Sequence, residues 1–183
     1  MNDYLSNLIA VILLIALLFI FPMYETYERI DRISDNVVQN ATIEFVDMVR
    51  EKGYISPVMY NDFIGKILKT HNTYYVEIIH KKDVTNPVYT DAADPSTFQS
   101  AYRSDFLNYY TDSITAVLFP NNNTPINDDT RVYYMTKGDY IEVTVQNTNI
   151  TQAQVFKNAL NITGDTSSHV YYHYGGLVRN TGG

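Results

Sequence analysis

Four histidines are the side chains best suited to bind a metal ion or to transfer a proton near neutral pH. They are His71, His80, His169 and His173. His169 and His173 would share one face of a strand, but four residues along a strand span about 13 Å, too far for two ligands of one metal ion. His71 and His80 fall in other elements. We therefore expect ordinary surface or edge histidines, and we predict no metal site.

Four carboxylates, Asp91, Asp94, Asp128 and Asp129, fall in segments that we predict to be loops. A calcium ion would need several such oxygens, but no twelve-residue calcium loop with its closing Glu is present. The motifs of serine hydrolases, phosphate-binding loops, dinucleotide-binding folds and zinc proteases are also missing. We predict that the chain is not an enzyme, with no catalytic residue, no cofactor and no small-molecule substrate.

Tyrosine is unusually frequent, with 17 residues in a chain of 183. Several tyrosines are neighbours in the sequence, namely Tyr109, Tyr110, Tyr133, Tyr134, Tyr171, Tyr172 and Tyr174. They could form a stacking platform for a sugar or a partner, or they could half-fill the core of a sheet while each hydroxyl stays in water. We favour the core interpretation, because it is the more common use of such residues.

Four Asn-x-Thr triplets match the acceptor pattern for N-glycosylation. They begin at Asn40, Asn122, Asn149 and Asn161. Their number is close to the chance expectation for a chain so rich in Asn and Thr. We therefore do not predict glycosylation from these triplets.

Composition excludes several classes of function. The net charge is −7 and no basic patch occurs, so we expect no nucleic-acid partner. The chain has no cysteine, which excludes disulfides, thiolate metal sites and cysteine nucleophiles. A length of 183 residues with 45% hydrophobic residues is sufficient for one packed domain and an anchor.

The N-terminal segment is apolar enough to cross a membrane. Residues 8–21 contain neither a charge nor a glycine, and no charged side chain occurs from Tyr4 to Tyr24. At about 1.5 Å per residue this stretch covers about 30 Å, the thickness of a bilayer core. Asp3 is the only charge before it, and no small-residue cleavage site follows it. We expect residues 1–29 to hold an uncleaved anchor and the start of a long helix; a removed signal peptide is the alternative.

The side of the membrane on which the domain lies is ambiguous from charge. All Lys and Arg residues follow the anchor, and the positive-inside rule would then place residues 30–183 in the cytoplasm. A surface rich in Asn, Thr and Tyr is instead typical of secreted and cell-surface domains. We expect a single-pass protein with its C-terminal domain outside the cytoplasm, partly because of a family resemblance described below.

The helix that begins in the anchor is predicted to continue to Gly53. Apolar residues recur at spacings of three and four between polar ones. They are Ile30, Ile33, Val37, Ala41, Phe45 and Val49. We expect Pro22 to kink this rod and Gly53 to end it.

The remainder of the chain predicts an α+β domain over residues 30–183, in which a small antiparallel sheet packs against the second half of the long helix with two to three further helices. The predicted helices begin at Ser56-Pro57, at Ser96 or Thr97 (continuing to about Phe119), and at Thr151. The predicted strands are residues 74–82, a hairpin of residues 131–136 and 140–146 around Gly138, and residues 169–179 with a bulge at Gly175-Gly176. Residues 83–97 and 120–130 are predicted loops, and a short strand at residues 88–90 is left open within the first of them.

This plan, an apolar then amphipathic helix bearing a small sheet, resembles type IV pilins and pseudopilins. The closest resemblance is to the minor pilins and pilin-like proteins of tight-adherence (Tad) pili in Gram-positive bacteria. The segments that carry it are residues 40–60 (NATIEFVDMVREKGYISPVMY), 63–68, 138–147 (GDYIEVTVQN) and 175–180 (GGLVRN). Prepilins carry a basic leader ending in Gly and a glutamate near the start of the helix, whereas Leu5 and Ser6 stand at that place here.

The resemblance implies a structural component of a Tad or type IV filament, or of its assembly apparatus, located in the cell membrane or incorporated into the filament. Its partners would be the lipid bilayer and other pilin-like subunits or assembly proteins. Two alternatives stay open from the sequence. The chain could be an accessory protein of a secretion or conjugation machine that never leaves the bilayer, or a membrane-anchored domain that binds a glycan or peptide through its tyrosines.

Overall fold

The computed structural model describes residues 2–160 and 171–182. It is an α+β fold, as predicted: a long N-terminal helix packs on an antiparallel sheet, and three further α-helices lie within the described residues. The helices are α1 (Asn2–Lys52), α2 (Pro57–Leu68), α3 (Thr111–Leu118) and α4 (Gln152–Ala159). The strands are β1 (Tyr54–Ile55), β2 (Tyr74–Tyr89), β3 (Phe98–Tyr110), β4 (Tyr133–Tyr134), β5 (Tyr140–Asn147) and β6 (Tyr171–Leu177).

Helix α1 continues through Pro22 and ends where the sequence predicts. Gly53 has a φ of 72°, a left-handed conformation that glycine adopts at little cost, and its N–H donates to the carbonyl oxygen of Val49 over 2.8 Å. A Cβ at this position would overlap the backbone oxygen of Asn180. The C-terminal segment can therefore close over the end of α1 because residue 53 has no side chain.

The predicted starts of α2 and α4 are confirmed by their capping hydrogen bonds. The Ser56 hydroxyl accepts a hydrogen bond from the N–H of Met59 over 3.3 Å, and Pro57 occupies the first helical position. The Thr151 hydroxyl accepts one from the N–H of Gln154, also over 3.3 Å. Each cap satisfies a backbone donor that the helix itself leaves unpaired.

The main sheet has the strand order β3-β2-β5-β6, with every neighbouring pair antiparallel. Along β5, Ile141, Val143 and Val145 are fully buried, because alternate side chains of a strand point to the same face. They join one core with buried residues of the helices, namely Val38, Phe45, Val46, Val49, Phe63, Ile67, Ile114 and Leu118. The ring of Phe45 stacks on that of Phe63 at a centroid distance of 4.6 Å, which fixes α2 against α1.

The predicted helix from residue 96 or 97 to Phe119 is wrong over most of its length. Residues Phe98–Tyr110 form β3, and only Thr111–Leu118 are helical. The apolar residues that suggested a helix are four apart (Phe98, Tyr102, Phe106), and a spacing of four also places residues on one face of a strand. Pairing with β2 decides between the two conformations, since it satisfies the backbone of both segments.

The predicted loop at residues 83–97 is strand over its first seven residues, because β2 extends to Tyr89, and only residues 90–97 form the turn. The loop prediction relied on the Asn86-Pro87 and Asp94-Pro95 dipeptides. Pro87 also has no N–H to donate to a sheet. Beyond Lys81, however, β2 pairs only with β3, so its other edge is open. Pro87 is therefore tolerated as an edge residue.

The predicted hairpin of residues 131–136 and 140–146 is also wrong in its pairing. Tyr133 and Tyr134 pair with Ile55 and Tyr54 in a separate two-stranded sheet, whereas β5 pairs with β2 and β6. Gly138 does have the expected positive φ, of 99°. The turn around it therefore joins two different sheets.

The two glycines of β6 do not form the predicted bulge. Gly175 and Gly176 pair in regular register with Glu142 and Ile141. A Cβ at Gly176 would overlap the guanidinium group of Arg50, which packs against the strand at this point. The absence of a side chain at Gly176 therefore allows Arg50 of α1 to pack closely on β6. The part of the predicted strand at residues 169 and 170 lies outside the described residues.

Candidate functional site

The first half of α1 is an exposed apolar surface. Leu8, Leu17 and Phe21 are 57%, 70% and 58% exposed, and the other large apolar side chains from Tyr4 to Met23 are between 37% and 85% exposed. The most apolar stretch of this helix has a mean hydropathy of 2.7, and none of it is buried. Among the described residues this is the one helix long and apolar enough to cross a membrane. The predicted membrane anchor therefore has the required length, apolarity and accessibility.

The apolar surface does not end at the expected edge of the bilayer. Ile30, Ile33 and Val37 are 48%, 53% and 37% exposed, whereas Val38 and Phe45 are buried against the sheet. The predicted apolar face of α1 thus divides into two stripes. One stripe packs into the domain. The other consists of Ile30, Ile33 and Val37, which face away from the domain and follow Met23 at spacings of seven, three and four residues.

Polar contacts hold α1 to the domain close to the start of this stripe. The hydroxyl of Thr151 donates to Asp31 Oδ2 over 2.6 Å, Lys157 forms an ion pair with Glu28, and Phe156 packs on Tyr27 with ring centroids 5.3 Å apart. Tyr27 and Glu28 belong to the segment that the sequence assigned to the anchor. Lys157 also interacts with the hydroxyl of Tyr24, so the domain contacts α1 from residue 24 onward.

A second set of contacts holds the far end of α1. Arg50 Nε donates to the carbonyl oxygen of Leu177 over 3.0 Å, and the N–H of Arg179 donates to the carbonyl oxygen of Arg50 over 2.8 Å. Asn180 Nδ2 donates to the carbonyl oxygen of Glu51 over 2.7 Å. Because these contacts fix α1 both near Asp31 and near Arg50, the exposed stripe keeps a fixed orientation relative to the sheet.

His80 contradicts the expectation of surface histidines. Its ring is 3% exposed, with Nε2 3.0 Å from Asp139 Oδ2 and Nδ1 2.8 Å from the Tyr133 hydroxyl. Burial lowers the pKa of His80 and raises that of Tyr133, so both groups are neutral. Tyr133 then donates to Nδ1, and the Nε2–H donates to Asp139. This set joins residues far apart in sequence, and no spacing pattern could have revealed it.

The chemistry open to this buried set is structural. Asp139 also accepts hydrogen bonds from the backbone N–H groups of Thr136 and Asp83, over 2.7 and 3.1 Å. Tyr109 stacks on the His80 ring at a centroid distance of 5.6 Å. A proton-transfer group needs a substrate within hydrogen-bonding reach, whereas the nitrogens of His80 are both occupied by protein groups. The set therefore ties β2 to the turn that precedes β5.

The other histidines lie apart from this set. His71 follows α2 with a φ of 61°, and His173 Nδ1 lies 3.2 Å from the Thr144 hydroxyl at the surface of the sheet. His169 lies outside the described residues. Within residues 2–160 and 171–182, no group of three or more His, Asp or Glu side chains could hold a metal ion.

Three of the four loop carboxylates stabilise turns. Asp91, Asp94 and Asp128 each accept a hydrogen bond from the backbone N–H two residues ahead, over 2.9 Å in every case. Asp129 begins a short 3₁₀ turn. Hydrogen bonds to these backbone and hydroxyl donors lower the pKa of Asp94 and Asp128. The structure thus gives each of these residues a local role.

The tyrosines divide between the two uses considered for them. Tyr133 and Tyr174 are half-buried and pack against the core, which fits the core interpretation. Tyr110, Tyr134 and Tyr171 are 52%, 48% and 65% exposed. The exposed ones lie on three different strands, β3, β4 and β6.

The Asn-x-Thr triplets differ in accessibility. Asn40 and Asn122 are exposed, on α1 and in a loop. Asn149 is engaged within the fold: Oδ1 accepts from the N–H of Thr73 over 2.7 Å, and Nδ2 donates to Asn72 Oδ1 over 3.0 Å. A glycan on Asn149 would displace these contacts. Asn161 lies outside the described residues.

Comparison of the chain with protein-family models, with curated proteins and with solved structures found no match.

Proposed function

We propose that this chain is a membrane-anchored structural protein whose helix α1 packs against α1 of neighbouring subunits, in a pilin-like filament of the Tad or type IV kind or in its assembly apparatus. The domain over residues 30–183 lies outside the cytoplasm. The protein acts through association and carries out no catalysis.

The apolar stripe of Ile30, Ile33 and Val37 is the observation that carries this proposal, because an isolated anchor has no use for it. At about 1.5 Å per residue, Val37 lies about 20 Å beyond Tyr24, well outside the hydrocarbon layer. Burial of apolar surface is favourable by about 25 cal/mol per Å². Residues recurring at three and four positions form the seam along which helices pair. A parallel α1 from a second subunit would cover both the stripe and the segment before it.

The same surface suits both environments that a filament subunit meets. In the bilayer, residues 4–24 are covered by lipid, and in a helix bundle they are covered by neighbouring helices. Water is excluded in both cases, so transfer between the two exposes little apolar surface. The net charge of −7 keeps the domains soluble at the surface of such a bundle.

Variants of the stripe test the proposal in the host cell. Ile30→Gln, Ile33→Gln and Val37→Gln together remove the seam outside the membrane while leaving the anchor intact. We expect the wild-type chain in sheared surface filaments and the triple variant only in washed membranes. Asn36→Gln with Asn40→Gln is the matched control, since both residues are exposed on the same helix. A wild-type chain found only in membranes would argue for the accessory-protein alternative.

The side of the membrane is tested separately. Because the chain has no cysteine, Ser113→Cys on the exposed side of α3 introduces a single thiol. We expect a membrane-impermeant maleimide to label this thiol in intact cells. Labelling only after the membrane is opened would place the domain in the cytoplasm, as the count of positive charges suggests.

A further inference from the structure

The longest strands of the sheet extend beyond the rest of the domain as a two-stranded arm. Strand β5 pairs with β2 only from Tyr74 to Lys81, whereas β3 continues to pair with β2 as far as Tyr89. Residues 82–107 form this arm, with a turn at residues 90–97. At about 3.3 Å per residue, the arm projects about 26 Å past the end of β5.

The arm points away from the membrane anchor. Next to the start of β2, Thr73 bonds Asn149, and Thr151 nearby bonds Asp31 of α1. Next to the point where the arm begins, Tyr140 pairs with both Lys81 and Leu177, whose carbonyl oxygen accepts from Arg50 of α1. Strand β2 therefore runs in the same direction as α1, and the arm continues past the helix end.

The outer edge of β3 has no strand partner in the described part of the chain, since β3 ends the sheet. Proteins normally protect such edges with proline, charged side chains (lysine above all) or a bulge. Residues 102–107 contain no proline, lysine or bulge; the register shift lies beside them, at residues 99–101, where Ser100 has a φ of 54°. The charged side chains of this edge are Arg103 and Asp105. Tyr102 and Phe106 are 67% and 58% exposed on one face of this edge. The backbone of residues 102–107 is thus open only to a strand whose charges match those of Arg103 and Asp105.

We propose that β3 pairs antiparallel with β3 of a second copy of this chain, with Ser104 at the two-fold centre. In this register Arg103 lies opposite the partner's Asp105, and Asp105 lies opposite the partner's Arg103. Tyr102 faces the partner's Phe106. Opposite charges and aromatic pairs directly across two strands are favourable.

The charges favour this register over its neighbours. Within one chain, Arg103 and Asp105 already form an ion pair, with Arg103 Nη2 2.6 Å from Asp105 Oδ2. Centring the pairing on Arg103 would place the two guanidinium groups face to face, and centring it on Asp105 would oppose the two carboxylates. Only the centre at Ser104 between them gives two attractive pairs.

This pairing would join two chains whose anchors lie in two different membranes or filaments that face each other. The two-fold axis of an antiparallel strand pair is perpendicular to the sheet, and α1 packs along the sheet. The axis therefore reverses the direction of α1, so the two anchors point in opposite directions. Because each arm extends away from its own anchor, two arms can overlap between two membranes or two filaments. This inference goes beyond the proposed function, since helix packing places neighbouring chains parallel.

Charge reversal with the full chain in lipid vesicles tests the proposal. Arg103→Asp opposes carboxylates across the two-fold axis, and Asp105→Arg opposes guanidinium groups. We expect wild-type vesicles to cluster and each variant alone to cluster at least about tenfold less. Vesicles carrying Arg103→Asp mixed with vesicles carrying Asp105→Arg should cluster as the wild type does, because both cross-strand pairs are then attractive. Both variants lose the ion pair within the chain, so each controls for the other's fold.

A single thiol at the centre gives an independent measurement. We expect Ser104→Cys to form a disulfide-linked dimer under mild oxidation, while Ser113→Cys on the exposed side of α3 should not. Wild-type vesicles that never cluster would overturn the proposal. Single variants that cluster as well as the wild type would also overturn it, as would a mixture that fails to restore clustering. A glycan or an unrelated strand bound at this edge would not give such mutual rescue.

Discussion

His80 Nε2 lies 3.0 Å from Asp139 Oδ2, and each of these side chains is only 3% exposed. Asp139 also accepts the backbone N–H groups of Thr136 and Asp83, so a single carboxylate satisfies three donors. Removing a buried acceptor leaves its donors unpaired, which costs more than the hydrogen bonds were worth. Loss of the Asp139 carboxylate should therefore lower the free energy of unfolding by more than its hydrogen bonds contribute.

We expect Asp139→Ala to lower the free energy of unfolding by about 2–3 kcal/mol. The measurement is urea unfolding of the full chain in detergent, followed by circular dichroism. Asp129→Ala is the matched control, because Asp129 is exposed at a turn and its removal should change stability by no more than about 0.5 kcal/mol. Equal losses in the two variants would show that the buried carboxylate stabilises nothing.

The same pair predicts a pH dependence. Burial lowers the pKa of His80 below the value of about 6.5 that it has in the unfolded chain. The unfolded state therefore takes up a proton first as the pH falls, so stability is complete above about pH 6.5 and is lost below it, by at most about 1.4 kcal/mol per pH unit. His80→Gln keeps a donor for Asp139 and should flatten this slope between pH 6.5 and 5. Equal slopes in the variant and the wild type would contradict the assignment.

Periodic segments of the sequence were predictable, and residues that meet across the sheet were not. Helix α1 was recognised because Ala41, Phe45 and Val49 repeat with a helical period, and Gly53 ended it because a positive φ suits glycine. His80 and Asp139 are 59 positions apart in the chain. Their contact depends on the β2–β5 register, which no local pattern encodes.

The arm shows a different limit of sequence reasoning. Phe98, Tyr102 and Phe106 satisfy the period of a helix and of a strand at once, so periodicity could not choose between them. Pro87 suggested a loop, because nothing in the sequence indicated that this residue would lie at an open edge of the sheet. The exposure of Ile30, Ile33 and Val37 was equally hidden, since it depends on which side of α1 the sheet covers.

We expect the replacement of glycine by alanine to have opposite effects on stability at Gly53 and at Gly65. Gly53→Ala would force a side chain into a left-handed conformation and against the backbone of Asn180 and Thr181, so we expect a loss of at least about 1–2 kcal/mol. Gly65→Ala lies on the exposed side of α2 with nothing near the added Cβ, and it should stabilise the protein by about 0.5–1 kcal/mol. Thermal unfolding of the two variants in detergent would measure both. A Gly53→Ala protein as stable as the wild type would mean that the C-terminal segment does not close over α1.

The position at which the domain can be cut from its anchor follows from the contacts of α4. A fragment starting at Thr26 keeps the packing of Phe156 on Tyr27 and the ion pair of Lys157 with Glu28. A fragment starting at Ile30 loses both, although it matches the boundary expected from the sequence. We expect both fragments to remain soluble without detergent, because residues before 26 contribute nothing to the core.

The longer fragment should be the more stable one, by about 1–2 kcal/mol, since an aromatic pair contributes about 0.5–1.5 kcal/mol and a surface ion pair less than about 1 kcal/mol. Urea unfolding of the two fragments measures the difference, and Lys157→Gln in the longer fragment isolates the share of the ion pair. The exposed stripe of Ile30, Ile33 and Val37 remains in both fragments, so weak association at high concentration is expected of each. If only a chain that retains residues before 26 proves soluble and folded, the apolar half of α1 stabilises the domain as well as anchoring it.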